Sequence, residues 1–332
     1  MKRKNRRLRR TIGIAAAASA AAALTAYLTT DFLIRASLDR QQPKLVQKAE
    51  RILTGTDPES EFHKTVKASA RRLAQKDLET VSVTGHDGET LQGHWMPQEN
   101  ARRVIIAMHG WRSSWYNDFG MVADAWAADG CSVLFAEQRA QGESGGEQMG
   151  FGLIERYDCL DWIYWVISRC GKEIPIYLCG ISMGATTVLL TAGLSLPPSV
   201  RGVIADCGFT SPQAIWKHVT RNNLHIGPMT PPWMADAILR QRIHTGSDPI
   251  STVDALKSCS VPVLLIHGTD DRLVPVEMTY ENYKACASPK RLLVVPGAGH
   301  GMSYFVDKDG YESAVKSFWN DCEGEKELHG DA

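Results

Sequence analysis

This sequence carries no excess of either charge, no clustered cysteines, and no zinc or nucleotide signature. Its 37 Lys and Arg residues balance 37 Asp and Glu residues, for a formal net charge of +0. That balance removes the basic field on which binding to nucleic acid depends, so no nucleic-acid partner is expected. The eight cysteines (Cys131, Cys159, Cys170, Cys179, Cys207, Cys259, Cys286 and Cys322) form no Cys-x-x-Cys pair. Structural zinc and thioredoxin-like redox chemistry are therefore not indicated. Several lie in apolar runs, where a thiol packs as a small hydrophobe, and free buried thiols are expected. The even count leaves disulfides open in an oxidising compartment without fixing pairs. There is no His-Glu-x-x-His motif and no glycine-rich loop ending in Gly-Lys-Ser/Thr, so no metal, nucleotide or other cofactor is implied. Nothing repeats internally, and the only biased stretch is an alanine tract near the start.

The neutral total hides an asymmetry. Residues 1–10 hold seven cations (Lys2, Arg3, Lys4, Arg6, Arg7, Arg9, Arg10) and no acid. Residues 11–30 carry no charge at all. As a helix, twenty residues span about 30 Å, the thickness of a bilayer's hydrocarbon core. The positive-inside rule keeps the basic end in the cytoplasm. The expectation is a single-pass signal anchor in the cell membrane, with the rest of the chain on the extracytoplasmic side. Secretion after signal cleavage is the alternative, because Ala-x-Ala triplets abound between Ala15 and Ala23. A soluble alanine-rich helix is a third reading. The length of the uncharged run favours the anchor, since a cleavable core spans about 7–15 residues.

Residues 31–76 read as a helical connector. Leu45, Val46, Ala49, Ile52 and Leu53 share one face of a helix over Lys44–Leu53, with Gly55 as its stop. Asp57-Pro58-Glu59 opens a second helix striped by Phe62, Val66, Ala70 and Leu73. Residues 77–322 change character. Thr80–Thr84 and Thr90–Met96 flank Asp87-Gly88, a hairpin turn signal. Apolar runs then follow at Val104–Met108, Cys131–Ala136, Ile174–Cys179, Val203–Ala205, Val261–Ile266 and Leu292–Val295. Such runs are what strands buried on both faces look like. Helical stretches separate them, for example Leu153–Arg169 and Met183–Leu194. The expected fold class is α/β, with a mostly parallel central sheet covered by helices. The interval between Asp206 and Val261 is too long for a plain crossover. It contains Trp216, Met229-Thr230-Pro231-Pro232-Trp233-Met234 and a helical Ala235–Ile243, and reads as a small cap at about 209–250. Residues 323–332 read as a tail.

Gly180-Ile181-Ser182-Met183-Gly184 sits between a strand and a helix. A sharp turn there exposes the serine hydroxyl and sets it above a helix N-terminus. A serine hydroxyl needs a base, and His300 in Gly297-Ala298-Gly299-His300-Gly301 directly follows the last strand. The imidazolium needs a carboxylate. Two adjacent acids, Asp270 and Asp271, follow the strand Val261–Ile266, and Asp206 ends the strand before it. A tetrahedral intermediate needs preorganised donors, the first of them the backbone N–H of Met183.

The stretch His267-Gly268-Thr269-Asp270-Asp271-Arg272-Leu273-Val274-Pro275 resembles the His-Gly-x-x-Asp-x-x-Val-Pro pattern of the α/β hydrolases, and that alignment selects Asp271. His109-Gly110-Trp111-Arg112 resembles the same family's His-Gly turn, which assigns the second oxyanion donor to the Trp111 backbone. Glu137 to Gly146 is similar to its Asp-x-Arg-Gly-x-Gly-x-Ser loop, with Glu137 and Ala140 departing from the pattern. The order Ser182, Asp271, His300 is the family's order. The resemblance covers about residues 78–319 and points to the α/β-hydrolase fold, within the bacterial serine-aminopeptidase-like (prolyl oligopeptidase-related) branch. It implies a serine hydrolase acting on a small-molecule or lipid-like ester. Peptide hydrolysis by the same residues is the runner-up, and a membrane-anchored binding protein of the same fold is the non-enzymatic rival.

Overall fold

The computed structural model describes residues 2–41, 59–223, 231–246 and 250–324. The expected helix over 44–53, its stop at Gly55, the Asp57-Pro58 start, Met229-Thr230 of the cap and the tail from residue 325 lie outside the described residues.

Helix α1 (Lys2–Leu38) is continuous. It passes through the expected division between membrane segment and connector, because no glycine or proline interrupts residues 15–38. Its uncharged part is exposed, with Leu24, Tyr27 and Leu28 at 58%, 40% and 56%. Its last turns are not: Thr30, Ile34, Ala36 and Leu38 are buried against the rest of the protein. Helix α2 (Glu61–Ala74) starts at Ser60, whose hydroxyl accepts the His63 N–H, and it buries Ala70 and Leu73 of the expected stripe.

Eight strands form one sheet in the order β1-β2-β4-β3-β5-β6-β7-β8. β1 (Glu79–Thr84) and β2 (Thr90–Met96) make the antiparallel hairpin, and β2 joins β4 (Cys131–Ala136) antiparallel. β3 (Arg103–Met108), β5 (Ile176–Ile181), β6 (Val200–Asp206), β7 (Val263–Gly268) and β8 (Lys290–Val295) run parallel with β4. β5 and β7 each begin two residues later than the apolar pattern suggests. The reason is local. Pro175 and Pro262 have no N–H to give a ladder, so the strands start just after them. Their carbonyls still accept, from Val104 and Val203 at 2.8 and 2.9 Å. β6 and β8 start earlier than expected, at Val200 and Lys290.

The period-two alternation of strands divides the core. Val104, Ile106 and Met108 of β3 face one apolar cluster with Trp162, Ile163, Val188 and Leu189. Ile105 and Ala107 face a second with Trp126, Phe318 and Trp319. Each fully buried aliphatic side chain contributes about 1.5–3 kcal/mol relative to exposure. Among the helices that supply these two faces are α3 (Trp115–Phe119), α4 (Ala123–Ala128), α5 (Glu155–Cys170), α6 (Met183–Thr191) and, near the C-terminus, the helix Lys308–Glu323. A third cluster lies over the carboxyl end of the sheet. It joins Ile34 and Leu38 of α1 to Ile238, Leu239 and Ile243, and to Met183, Phe209 and Val274. The cap consists of α7 (Pro212–His218), a short π-helical turn at Val219–Asn223, and α8 (Pro232–Ile243), which begins three residues before the expected Ala235. α9 (Thr252–Lys257) then leads back to β7, and α10 (Val276–Ala285) connects β7 to β8. All eight cysteines are free thiols, six of them buried.

Candidate active site

β5 runs into α6 through Gly180-Ile181-Ser182-Met183-Gly184. Ser182 has φ 56° and ψ −116°, a conformation that L-residues adopt only under constraint. Two glycines make the turn possible. A side chain at Gly184 would collide with the Met108 and His109 carbonyls, and one at Gly180 with the Gly184 backbone. The hydroxyl therefore projects over the sheet, where loops after β7 and β8 meet it.

His300 Nε2 lies 2.9 Å from Ser182 Oγ, and His300 Nδ1 lies 2.7 Å from Asp271 Oδ2. Asp271 Oδ1 accepts the backbone N–H groups of Leu273 and Val274, both at 2.9 Å. This carboxylate is buried, which by itself pushes its proton affinity up. His300 and His267 beside it reverse that and hold the carboxyl well below its usual range. Burial pushes His300 down, but the adjoining Cys207 and Asp271 outweigh it and set the imidazolium well above the ordinary histidine value. Burial also pushes the Cys207 thiol up to about 11, so at neutral pH it is uncharged and Asp271 is the partner that counts.

The two other acids lie elsewhere. Asp270 is exposed and accepts the Thr269 hydroxyl at 2.8 Å. Asp206 is buried, accepts the Ser303 hydroxyl at 3.0 Å, and is pushed up to about 6 by that burial.

The His109–Ser113 loop is braced from below. Asp118 accepts the Gly110 N–H at 2.6 Å and the Ser113 hydroxyl. A side chain at Gly110 would come 3.4 Å from Ser182 Cβ, so this loop passes directly over the serine. Among the described residues no protein group accepts the N–H of Trp111 or Met183. Both remain available to a bound oxyanion.

Two neighbours of Asp271 and His300 are not among the expected site residues. His267 is fully buried, with Nε2 2.9 Å from the Val274 carbonyl and 3.2 Å from Asp271 Oδ2, and it takes the Thr279 hydroxyl at Nδ1. It fixes the far side of Asp271. Cys207, at φ 50°, has its Sγ within 4.8 Å of ligand atoms of both His300 and Asp271. His267 opens the motif that carries Asp271, whereas the only hint of Cys207 is its place at the end of a strand. In the loop after β4, Glu137 binds His94 of β2 at 2.8 Å, and Arg139 binds Asp158 of α5 and Asp87 of the hairpin turn.

The end of α1 also reaches this site. Trp111 Nε1 donates to the Ser37 carbonyl at 2.8 Å. The Arg112 guanidinium caps the helix C-terminus through the carbonyls of Ala36, Asp39 and Arg40. Arg40 in turn holds the carbonyls of Gly142, Ser144 and Gly146.

Comparison with solved structures places this arrangement. The Pyrococcus furiosus esterase Pf2001 aligns with a TM-score of 0.60 at 24% identity, covering 76% of this chain and 94% of that one. The α/β hydrolase GrgF of Penicillium aligns over 75% of this chain and 100% of its own, with a TM-score of 0.59 at 16% identity. The chain has the α/β-hydrolase fold. The family described as serine aminopeptidase, S33, matches residues 99–244 of this chain. In sequence it is 28% identical to YqkD of Bacillus subtilis over 71% of this chain and 76% of that protein. It is 27% identical to YfhR of Escherichia coli K12, over 70% and 76%. A puromycin hydrolase shares the fold at 15% identity and a TM-score of 0.56, over 75% of this chain and 40% of its own.

Proposed function

We propose that this hydrolase is a serine esterase held at the cell membrane by α1, with its catalytic domain on the extracytoplasmic side. The observation that carries the reading is the relay of 2.9 Å from Ser182 Oγ to His300 and 2.7 Å from His300 to Asp271. In this mechanism Ser182 Oγ attacks the ester carbonyl while its proton passes to His300 Nε2. Asp271 holds the imidazole orientation and stabilises the imidazolium. The Met183 and Trp111 N–H groups take the oxyanion. His300 then returns the proton to the departing alkoxide. Water, deprotonated by the same histidine, hydrolyses the acyl-enzyme and frees Ser182.

Ester rather than aminopeptide hydrolysis is favoured by the acids. An aminopeptidase needs a carboxylate to hold the substrate's free amino group. Glu137 is committed to His94 and Asp206 is buried under Ser303 with a carboxyl that burial pushes up to about 6, which leaves Glu143, exposed on the loop after β4. The esterase Pf2001 shares the fold, as does the puromycin hydrolase, so the fold alone decides nothing here. The anchor reading rests on charge: seven cations, then twenty uncharged residues on a helix exposed through that stretch.

The test is turnover of short p-nitrophenyl esters by the full chain beside Ser182→Ala. The expected loss is at least about a thousandfold, the scale for removing a nucleophile. Equal rates would refute the assignment, and preference for aminoacyl amides over matched esters would select the peptidase.

A further inference from the structure

The anchor and the cap meet at one level of the molecule. Thr30 closes the uncharged stretch of α1, and its hydroxyl lies 3.7 Å from Met234 Sδ at the start of α8. Eight residues on, Arg242 binds Asp31 at 2.8 Å and approaches Asp39 at 3.6 Å. Asp31 is the first charge after the uncharged run, so the Asp31–Arg242 pair marks where the helix leaves hydrocarbon. Trp233, beside Met234, stands at that boundary. It is 67% exposed, the most exposed large apolar side chain outside α1 among the described residues. Tyr27 and Phe32 of α1 are exposed at the same level, at 40% and 41%. Exposed Tyr, Phe and Trp at the end of an apolar span are what an interfacial belt looks like.

The apolar surface does not stop at the cap tip. Ile34 and Leu38 of α1 pack in one cluster with Ile238 and Leu239 of α8, and that cluster extends to Met183, next to Ser182. Half-buried Met234, Trp111 and Trp216 belong to its rim. Trp111 is tied to α1 through Ser37 and lies in the loop that passes over Ser182. The apolar cluster is thus continuous from the α1–α8 contact to Met183, beside the serine.

We infer that the cap tip at Trp233 lies in the outer-leaflet interface and that the substrate is a long-chain ester drawn from the bilayer. This rests on the esterase and anchor readings above. An ester that partitions into lipid is concentrated beside a cap held at that depth, whereas a water-soluble one reaches the site from bulk. The Trp233 indole supplies a wedge that keeps the cap at headgroup depth, and its exposure leaves the folded core independent of it.

The experiment uses the full chain reconstituted in phosphatidylcholine vesicles, with dioleoylglycerol as the bilayer ester and p-nitrophenyl butyrate as the soluble one. Trp233→Ser is expected to lower the rate on dioleoylglycerol about tenfold. Its rate on the soluble ester should stay within about twofold, since an exposed substitution leaves the fold intact. Vesicles of brominated phosphatidylcholine provide the second readout. The fluorescence lost on changing Trp233 to Phe should be quenched by bromine in the wild type. Equal loss on both esters, no loss on either, or an unquenched Trp233 signal would overturn the inference while leaving the esterase standing. A wild type inactive on the soluble ester would overturn the esterase and the inference together.

Discussion

The conformation of Ser182 makes a stability prediction that is independent of any substrate. At φ 56° and ψ −116° the residue sits outside the regions open to a side chain bearing Cβ. Such a conformation costs roughly 1–3 kcal/mol and persists because its surroundings over-determine it. Here Gly180 and Gly184 pack against the Met108, His109 and Ala185 backbone and hold the turn. Replacing Ser182 by Ala removes the 2.9 Å bond to His300 and keeps the strain. Replacing it by Gly removes the same bond and the strain as well. The hydrogen-bond loss, about 0.5–1.5 kcal/mol, is common to both and cancels in their difference. Glycine gives back about 0.5–1 kcal/mol through its freer unfolded chain. Ser182→Gly should therefore be more stable than Ser182→Ala by about 0.5–2 kcal/mol. In thermal unfolding this corresponds to roughly 1–8 °C for a domain of this size. Urea unfolding of the detergent-solubilised full chain, both variants side by side, measures it. A glycine variant no more stable than the alanine variant would refute the claim that the elbow stores backbone strain.

The remaining predictions concern protons. Only the neutral imidazole of His300 can accept the serine proton, and its neighbours hold it above the ordinary value of 6.5. The base form then grows as pH rises through that higher value, so the ascending limb of kcat/KM on a soluble ester should have its midpoint above 6.5. Asp271→Asn should move that midpoint down and cost about 10³–10⁴ in rate, by removing the carboxylate that charges and orients the ring. Rates over a pH series decide both, and an unmoved midpoint in Asp271→Asn would count against Asp271 as the partner. Asp206 should behave in the opposite way. Its carboxyl is raised from 3.8 to about 6 in the folded protein, because burial disfavours the charge. The folded state holds that proton more tightly than the unfolded chain does. The associated stability is present below 3.8 and fades as pH rises towards about 6. Asp206→Asn should abolish this fall in urea midpoints between those pH values and leave turnover within a few-fold, since it keeps an acceptor for Ser303. A loss as large as that of Asp271→Asn would make Asp206 part of the relay.

Much of this architecture is readable from local pattern, and the limits of that reading have physical causes. The hairpin and β4 were legible because Asp87-Gly88 is a turn signal and Cys131–Ala136 is a bounded apolar run. The starts of β5 and β7 were not, because apolarity extends through Pro175 and Pro262 while the hydrogen-bond ladder cannot. Ser182, Asp271 and His300 each stand in a motif whose glycines serve the local backbone, so the residues that the fold brings together were named in advance. His267 opens the motif that carries Asp271, but its contact with that carboxylate is a matter of packing, and Cys207 acts by packing with no sequence spacing at all. The clamp of Arg112 on the end of α1 has none either, for it joins residues more than seventy positions apart.

That clamp changes how α1 should be understood. Composition divides it at Thr30, between an uncharged stretch and a connector, yet the helix is one rod to Leu38. A rod transmits position. Its outer half is exposed as a membrane helix would be, and its last turns are buried, capped by Arg112 and bonded to Trp111. On the anchor reading proposed above, the same few residues fix the height of the domain above the bilayer as well as the placement of the loop over Ser182. A flexible tether would have allowed the domain to tumble, and a substrate in water would need nothing more. Rigid attachment at the mouth of the site is useful when the direction from which the substrate arrives is fixed, which is the condition a bilayer imposes.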